Sequence, residues 1–236
     1  MEKFYHIAGL TVQMNPGPIT SAQAEPYRIT KPDKVDCVLE ERWKEFRSHH
    51  PGFSDENIEY LYSGAAFYKC LLDYCGFMLH SSAVVVDGKA YLFSADSGTG
   101  KSTHTQLWLK LFGDRAYILN DDKPALRLED GVWYAYGTPW SGKNDISVNA
   151  RIPIAGIAML ERDSKNSIEP FTGIEAVRRI LAQVNRVRST ECREKQIDLL
   201  TKLFDMVPIW RLKCNMDLSA AQLSYNVMSG AEKENN

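Results

Sequence analysis

The chain has 236 residues, which is enough to bury one sizeable hydrophobic core. Its formal net charge of −2 and its pI near 6.2 argue against a general nucleic-acid binder, whose domain is usually strongly basic. No apolar run approaches the roughly eighteen residues of a membrane span, and the first residues lack a signal-peptide pattern. We therefore expect a cytoplasmic protein that binds neither nucleic acid nor membrane.

Residues 1–53 are rich in proline, glycine and short mixed runs, and they predict a small β-rich extension without helices. His49 and His50 lie there beside Pro51-Gly52. No cysteine or carboxylate stands at ligand spacing to them, so a solvated loop is favoured over a metal site. Five scattered cysteines without a C-x-x-C pair predict reduced structural thiols.

Residues 54–236 are predicted to form the main domain, which packs with the extension as one compact unit. Ser54 is a good N-cap, and an apolar stripe through Leu72 predicts a long core-facing helix. His80–Val86 then reads as a strand, Asp87-Gly88 as a tight hairpin turn, and 90–93 as the returning strand.

The returning strand leads into the most informative segment, Ala95–Ser102, with the sequence ADSGTGKS. It matches the Walker A pattern G-x-x-x-x-G-K-[ST] except that Ala95 replaces the first glycine. Apolar residues at helical spacing over 103–112, ended by Gly113, predict that a helix leaves the loop, so its N-terminus favours an anion. A glycine-rich turn with an exposed lysine is the alternative. The predicted nucleotide-contacting residues are Asp96, Ser97, Gly98, Thr99, Gly100, Lys101, Ser102 and Thr103.

A short apolar strand over 117–120 ends in the acid pair Asp121-Asp122. Ligands bind at the carboxyl ends of strands in α/β sheets, so these acids are expected to face the phosphates. One acid would lie near Mg²⁺, with Ser102 as a second ligand, and the other would take a proton from an attacking hydroxyl. The alternative is that the pair caps a turn before Lys123-Pro124.

The remaining sequence predicts a hairpin over 125–136, a buried strand over 154–160, helices near 172–184, 197–206 and 218–228, and a strand near 209–212. Thr172 and Glu175 have the spacing of a capping box. The loop 137–143, centred on Trp140, is compatible equally with substrate binding and with a surface turn around a half-buried tryptophan. Arginines over 178–188 are compatible with a phosphate or acidic-substrate contact, although a solvated helix face explains most such runs. The tail 231–236 is polar and expected to fray.

His80, the hairpin, the P-loop and Asp121-Asp122 together resemble the catalytic domain of HPr kinase/phosphorylase, a family related in fold to phosphoenolpyruvate carboxykinase. The resemblance covers roughly residues 75–160. It implies an α/β fold with a mixed β-sheet P-loop core of that type and flanking helices, to which the composition of residues 1–53 adds the small N-terminal β-rich extension. It also implies ATP and Mg²⁺ as cofactors and transfer of the γ-phosphoryl group to a serine-type hydroxyl. In that reading Asp122 accepts the proton, Ser102 and Asp121 serve Mg²⁺, Lys101 contacts the phosphates, and His80 supports the acid pair.

The sequence departs from that family at Ala95 and lacks a clear counterpart of its later glycine-rich signature and metal-binding glutamate. HPr as the substrate and the reverse reaction are therefore not implied. The acceptor class left open is a free serine-like amino acid, a peptide or a protein, and a homo-oligomer also stays open. Two other functions remain: an ATP-dependent decarboxylating enzyme, for which no lysine-histidine metal cluster is found, and a nucleotide-sensing ATP-binding protein or ATPase with little phosphotransfer.

Overall fold

Two β-sheets with flanking helices make up residues 3–230, the part of the chain that this computed structural model describes. The strands are β1 (Lys3–Ile7), β2 (Leu10–Met14), β3 (Arg28–Ile29), β4 (Cys37–Val38), β5 (Gly76–Met78), β6 (Ser81–Val86), β7 (Lys89–Ser94), β8 (Ala116–Asn120), β9 (Ala125–Glu129), β10 (Val132–Tyr136), β11 (Arg151–Arg162), β12 (Ser167–Pro170) and β13 (Ile209–Cys214). The α-helices are α1 (Pro18–Ala24), α2 (Asp55–Asp73), α3 (Lys101–Phe112), α4 (Gly173–Leu181), α5 (Thr190–Met206) and α6 (Leu218–Ser229). Short 3-10 helices cover Glu25–Tyr27, Trp43–His49 and Gly113–Arg115.

The smaller sheet lies near the N-terminus and has the strand order β3-β1-β2-β4. The prediction of strands without helices is wrong here, because α1 follows β2. Pro18 stands at the first turn of α1, where a missing N–H costs nothing, and Gly17 precedes it. The helix is held against α2 by the Thr20 hydroxyl, which donates to buried Glu59 over 2.7 Å. Because burial raises the pKa of Glu59, this bond compensates a desolvated carboxyl group.

The larger sheet is mixed, as predicted, and runs in the order β5-β9-β10-β11-β7-β6-β8, with β13 and β12 continuing from the far end of β11. The β6–β7 hairpin turns at Asp87-Gly88, whose φ angles of +50° and +75° are those of the predicted primed turn. Strand β11 is parallel to both β7 and β13 and antiparallel to β10. The predicted buried strand over 154–160 is thus the long central strand.

One edge of this sheet collects the residues on which the functional hypotheses depend. Strands β7 and β8 both pair antiparallel with β6 and therefore run in the same direction. Ser81 is paired with Ser94, and Ala83 with Asn120, so the start of β6 lies beside the ends of β7 and β8. We call this region the carboxyl edge.

Apolar packing covers both faces of the sheet, because side chains of β6 alternate between them. Ala83 and Val85 join a large cluster that includes Phe67 of α2, residues of α4 and α5, and the apolar side chains of β1 and β2. Val84 and Val86 join a second cluster around Trp108 of α3 and residues of α6. The N-terminal sheet therefore shares a core with the larger one.

Two further expectations are corrected. Thr172 precedes α4 but makes no capping hydrogen bond with its side chain, since Gly173 enters the helix at a φ of +76° and Glu175 pairs with Arg211 instead. Cys37 and Cys70 form a disulfide between β4 and α2, whereas Cys75, Cys192 and Cys214 are free thiols. The predicted fraying of 231–236 lies outside the described residues.

Over residues 3–230, every helix is too short or too polar to cross a lipid bilayer.

Candidate functional site

The Walker A-like segment Ala95–Ser102, called the P-loop below, connects β7 to α3 at the carboxyl edge, so a strand precedes it and a helix follows it, as the sequence indicated. Gly98 and Gly100 have φ angles of +80° and +120°, a region that side chains with a Cβ rarely adopt. Ala95 is buried and does not have a positive φ angle. The first glycine position of the Walker A pattern therefore does not need glycine in this chain. Gly100 caps α3 without any side-chain hydrogen bond to the first turn. The first-turn amides are therefore not satisfied by a capping side chain, which suits an anion.

Lys101 is the first residue of α3, and its side chain is buried under the loop. Its Nζ donates to the Ala95 carbonyl oxygen over 2.9 Å. Burial lowers the pKa of Lys101, and the nearby carboxylates of Asp122, Asp121 and Asp96 partly oppose that effect. The lysine thus lies within electrostatic reach of all three predicted acids.

The turn after β8 is organised by buried Asn120. Its Oδ1 accepts from the backbone N–H groups of Asp122 and Lys123, and its Nδ2 donates to the Thr138 carbonyl oxygen. This Asx-type turn aims the two acids that follow the strand in different directions. The alternative was that the acid pair caps this turn, but the side chain that caps it is that of Asn120.

Asp121 is buried, and both of its carboxylate oxygens accept hydrogen bonds. Ser82 Oγ donates to Oδ1 over 2.7 Å, and Asn144 Nδ2 donates to Oδ2 over 2.8 Å. Ser82 Oγ is also 3.0 Å from Thr105 Oγ1 on the second turn of α3, and Thr105 in turn bonds to the Ser102 carbonyl oxygen. Asp121 is thereby fixed relative to the helix that carries Lys101.

Asp122 is half-exposed and lies next to His80, with 3.4 Å between Oδ1 and His80 Nε2. Lys123 Nζ is 4.0 Å from its other oxygen. Asp122 is thus the less constrained and the more exposed of the two acids.

Gln183, which the sequence analysis did not identify, connects His80, the neighbour of Asp122, to Asp96 of the P-loop. Gln183 Nε2 donates to Asp96 Oδ1, and its Oε1 lies 2.9 Å from His80 Nδ1. Because Oε1 only accepts, Nδ1 of His80 carries a hydrogen. Backbone contacts fix the same pair: His80 N–H donates to the Gln183 carbonyl oxygen.

A second unpredicted contact comes from the end of β11. Arg162 Nε donates to the Thr99 carbonyl oxygen over 3.0 Å, and its Nη2 donates to the Gly98 carbonyl oxygen. Since β11 is parallel to β7, its last residue reaches the loop at the same edge. The guanidinium thus ties the carbonyl oxygens of Gly98 and Thr99 to the end of β11.

The loop 137–143 was predicted as substrate-binding or as a surface turn with a half-buried tryptophan. Trp140 is in fact fully buried, stacked on Phe67 with 4.9 Å between ring centroids, and its Nε1 donates to Ser63. The loop also passes close to Asp122: a Cβ added at Gly142 would lie 2.9 Å from Asp122 Cβ. The tryptophan thus anchors a backbone segment that forms a wall beside the carboxylate.

The remaining residues that the sequence analysis singled out differ in their exposure and in their contacts. Ser102 is half-buried, whereas Ser97 and Thr103 are exposed on the loop and on the first turn of α3. Arg179 pairs with Glu161, which leaves Arg178, Arg186 and Arg188 as the exposed members of the arginine run. His50 is exposed and packs edge-on against Phe53, and the side chain of His49 lies outside the described structure.

The residues present suit a nucleoside polyphosphate with Mg²⁺. Donors for phosphate oxygens come from three sources: the backbone N–H groups of the first turn of α3, which no side chain caps, the loop around the two positive-φ glycines, and the Lys101 ammonium. Within residues 3–230 no three His, Cys, Asp or Glu side chains group as a metal cage. Such a cage is not required, because Mg²⁺ at phosphates uses one or two protein ligands and the phosphate oxygens themselves. Ser102 and Asp121 are the residues that would hold it.

Comparison with known proteins gives little beyond this geometry. No protein-family model matches the chain, and no curated protein matches it significantly. Among solved structures, it is similar to the HPr(Ser) kinase/phosphatase from Coxiella burnetii, with 14% sequence identity, 66% of this chain covered, 98% of that chain covered and a TM-score of 0.39. An identity and a TM-score this low carry no functional assignment.

Proposed function

We propose that the protein is an ATP-dependent kinase that transfers the γ-phosphoryl group to a serine-type hydroxyl. The observation that carries the proposal is the meeting of Lys101, Asp121 and Asp122 at one sheet edge. A lysine close to two acids of different exposure supplies groups that phosphoryl transfer to an alcohol uses, a cation for the phosphates, a metal ligand and a proton acceptor.

The P-loop residues would bind and orient the phosphates of ATP. The amides at the start of α3 and the Lys101 ammonium would neutralise charge on the transferring group. Mg²⁺, held by Ser102 and Asp121, would supply further neutralisation of the β- and γ-phosphate oxygens. Desolvation strengthens each of these contacts, and Lys101 is already buried.

Asp122 would accept the proton of the attacking hydroxyl. Its side chain is partly exposed, which an approaching hydroxyl requires, and His80 Nε2 lies 3.4 Å from one carboxylate oxygen. Gln183 fixes the ring of His80, so the imidazole keeps Asp122 oriented while the carboxylate exchanges a proton. Asp121, with both oxygens already bonded, is suited to a fixed role at the metal.

A nucleotide sensor that binds ATP and transfers little remains the competing function. It would need the P-loop but not Asp122. The half-exposed acid beside a fixed histidine favours the kinase, because a sensor gains nothing from an accessible proton acceptor.

The test uses γ-labelled ATP, Mg²⁺ and a fractionated cell extract, with label followed separately into small molecules, peptides and proteins. We expect transfer to one acceptor class and a loss of roughly 10²–10⁴-fold in rate in Asp122→Asn, with ATP affinity retained. Asp114→Asn is the matched control, since Asp114 is an exposed carboxylate remote from the carboxyl edge. Undiminished transfer in Asp122→Asn refutes the assignment of the base, and release of free phosphate alone favours the sensor or ATPase.

A further inference from the structure

A groove of about 1050 Å³ lies outside the P-loop site, between α2, the segment after β4 and the residues that follow α4. Its floor is apolar and partly open to solvent: Leu61 is 47% exposed and Phe46 37% exposed. Ile58, Tyr62 and Val187 continue this floor. A concave surface with an apolar floor and a few charged groups at its rim has the composition of a ligand-binding site.

The rim of the groove has an excess of free positive charge. Arg186, Arg188 and Lys69 line it, and none has an ion-pair partner among the described residues. Of the lining acids, Asp36 pairs with Lys34 and Asp73 pairs with Lys195.

The rim also carries Glu40 and Arg42, which have opposite charges. Glu40 is a lining acid without an ion-pair partner in the described chain, and Arg42 is neutralised by Glu45. Three free cations against one free carboxylate give the groove a net attraction for an acidic ligand.

The groove adjoins the P-loop site through two elements. Arg186 is three residues beyond Gln183, so the backbone between them spans at most about 11 Å. Gln183 itself contacts His80 and Asp96. On the other side, Tyr60 of α2 accepts from the backbone N–H of Gly142, next to Asp122, while the neighbouring Leu61 lines the groove.

We propose that this groove binds an extended peptide segment in which acidic side chains flank an apolar one, and that this segment carries the acceptor hydroxyl to Asp122. The inference rests on the proposed kinase function, of which it specifies the acceptor class. The apolar side chain would cover the Leu61 floor, and the acidic side chains would pair with the free arginines. At about 3.3 Å per extended residue, about three or four residues cover the roughly 11 Å that the backbone between Arg186 and Gln183 can span at most.

Binding is measured without ATP, so that it does not depend on phosphotransfer. The probes are three pools of fluorescent peptides of about nine residues. Each pool has a central serine: the first combines acidic and apolar residues, the second basic and apolar residues, and the third acidic and small polar residues. Fluorescence anisotropy is recorded with the full-length protein at low and at high salt. We expect the acidic-apolar pool to bind most tightly and to weaken as salt increases.

Two pairs of variants localise the binding. Arg186→Glu combined with Arg188→Glu should weaken the acidic-apolar pool roughly tenfold or more, whereas Arg178→Glu, exposed on α4 outside the groove, should leave it unchanged. Leu61→Gln should weaken the same pool, and Ile174→Gln, at a site 69% exposed elsewhere, should not.

Three results would overturn the docking proposal. They are equal binding of all pools, no binding of any pool, and binding that Arg186→Glu combined with Arg188→Glu leaves intact. Dimerisation that Leu61→Gln abolishes, seen by sedimentation, would assign the groove to a second copy of the chain. Peptide binding at the groove without label transfer in any fraction would instead keep the docking site and refute the kinase.

Discussion

Acid should destabilise the protein through one buried histidine, His104, which lies on α3 one turn after Lys101. Its side chain is 2% exposed and packs against Phe93. Its Nε2 accepts from Trp108 Nε1 and is 3.1 Å from Ser224 Oγ, while Nδ1 has no partner among the described residues. Burial lowers the pKa of His104 from 6.5 to about 4.

The sign and size of the effect follow from this depressed pKa. The unfolded chain binds a proton near pH 6.5 and the folded chain only near pH 4, so stability falls as the pH decreases between these values. Above pH 6.5, the pKa of the histidine in the unfolded chain, this loss of stability is absent. Integrating over that window gives about 2 kcal/mol at pH 5 and about 3 kcal/mol below pH 4.

The assay is urea unfolding followed by tryptophan fluorescence at about pH 7.5 and about pH 5. His104→Leu should lose about 2 kcal/mol less than the wild type between the two values, because it has no proton to gain. Any cost of its lost hydrogen bonds cancels, since each protein is compared with itself. His6→Gln, at an exposed histidine, is the control and should behave as wild type. An identical pH dependence for wild type and His104→Leu would refute the reasoning.

Three other perturbations have clear expected outcomes. Gly142→Ala should lower the transfer rate roughly tenfold with ATP affinity nearly unchanged, because its Cβ would displace Asp122. Gly131→Ala has the same positive φ but open space around the Cβ, so equal losses in both variants would contradict this explanation. Lys101→Met should abolish ATP binding in calorimetry. It should also raise the free energy of unfolding at neutral pH, with a gain that shrinks as the pH rises towards about 10.5, because the unfolded chain holds that proton more tightly. Trp140→Ala should cost about 3–5 kcal/mol in urea unfolding, and a cost below 1 kcal/mol would show that the loop does not depend on this anchor.

The parts of the site that could be predicted are those in which neighbouring residues determine the chemistry. The Walker A segment, the acid pair at the end of a strand and the Asp87-Gly88 hairpin all have short-range patterns, and the structure has each element where the pattern indicates. Their convergence also follows, because a hairpin and one antiparallel strand bring the three segments to one edge. The roles of Lys101, Asp121 and Asp122 stay predictions until transfer is measured.

The parts that could not be predicted depend on long-range packing. Gln183 lies 103 residues from His80, and a single glutamine after a helix has no motif. Trp140 stands among Gly, Pro and Ser, so its local sequence reads as a surface loop, and only packing on Phe67 buries it. Helix α1 has seven residues, too few for a hydrophobic period to emerge, and its contacts with α2 select the helix.

The Asp87-Gly88 turn lies at the opposite end of β6 and β7 from the P-loop, about 20 Å away for strands of six residues. It is the natural attachment point for a surface tether or a fluorophore. A protein immobilised there would present its carboxyl edge to free solution, so that binding at this edge could be timed without obstruction by the support.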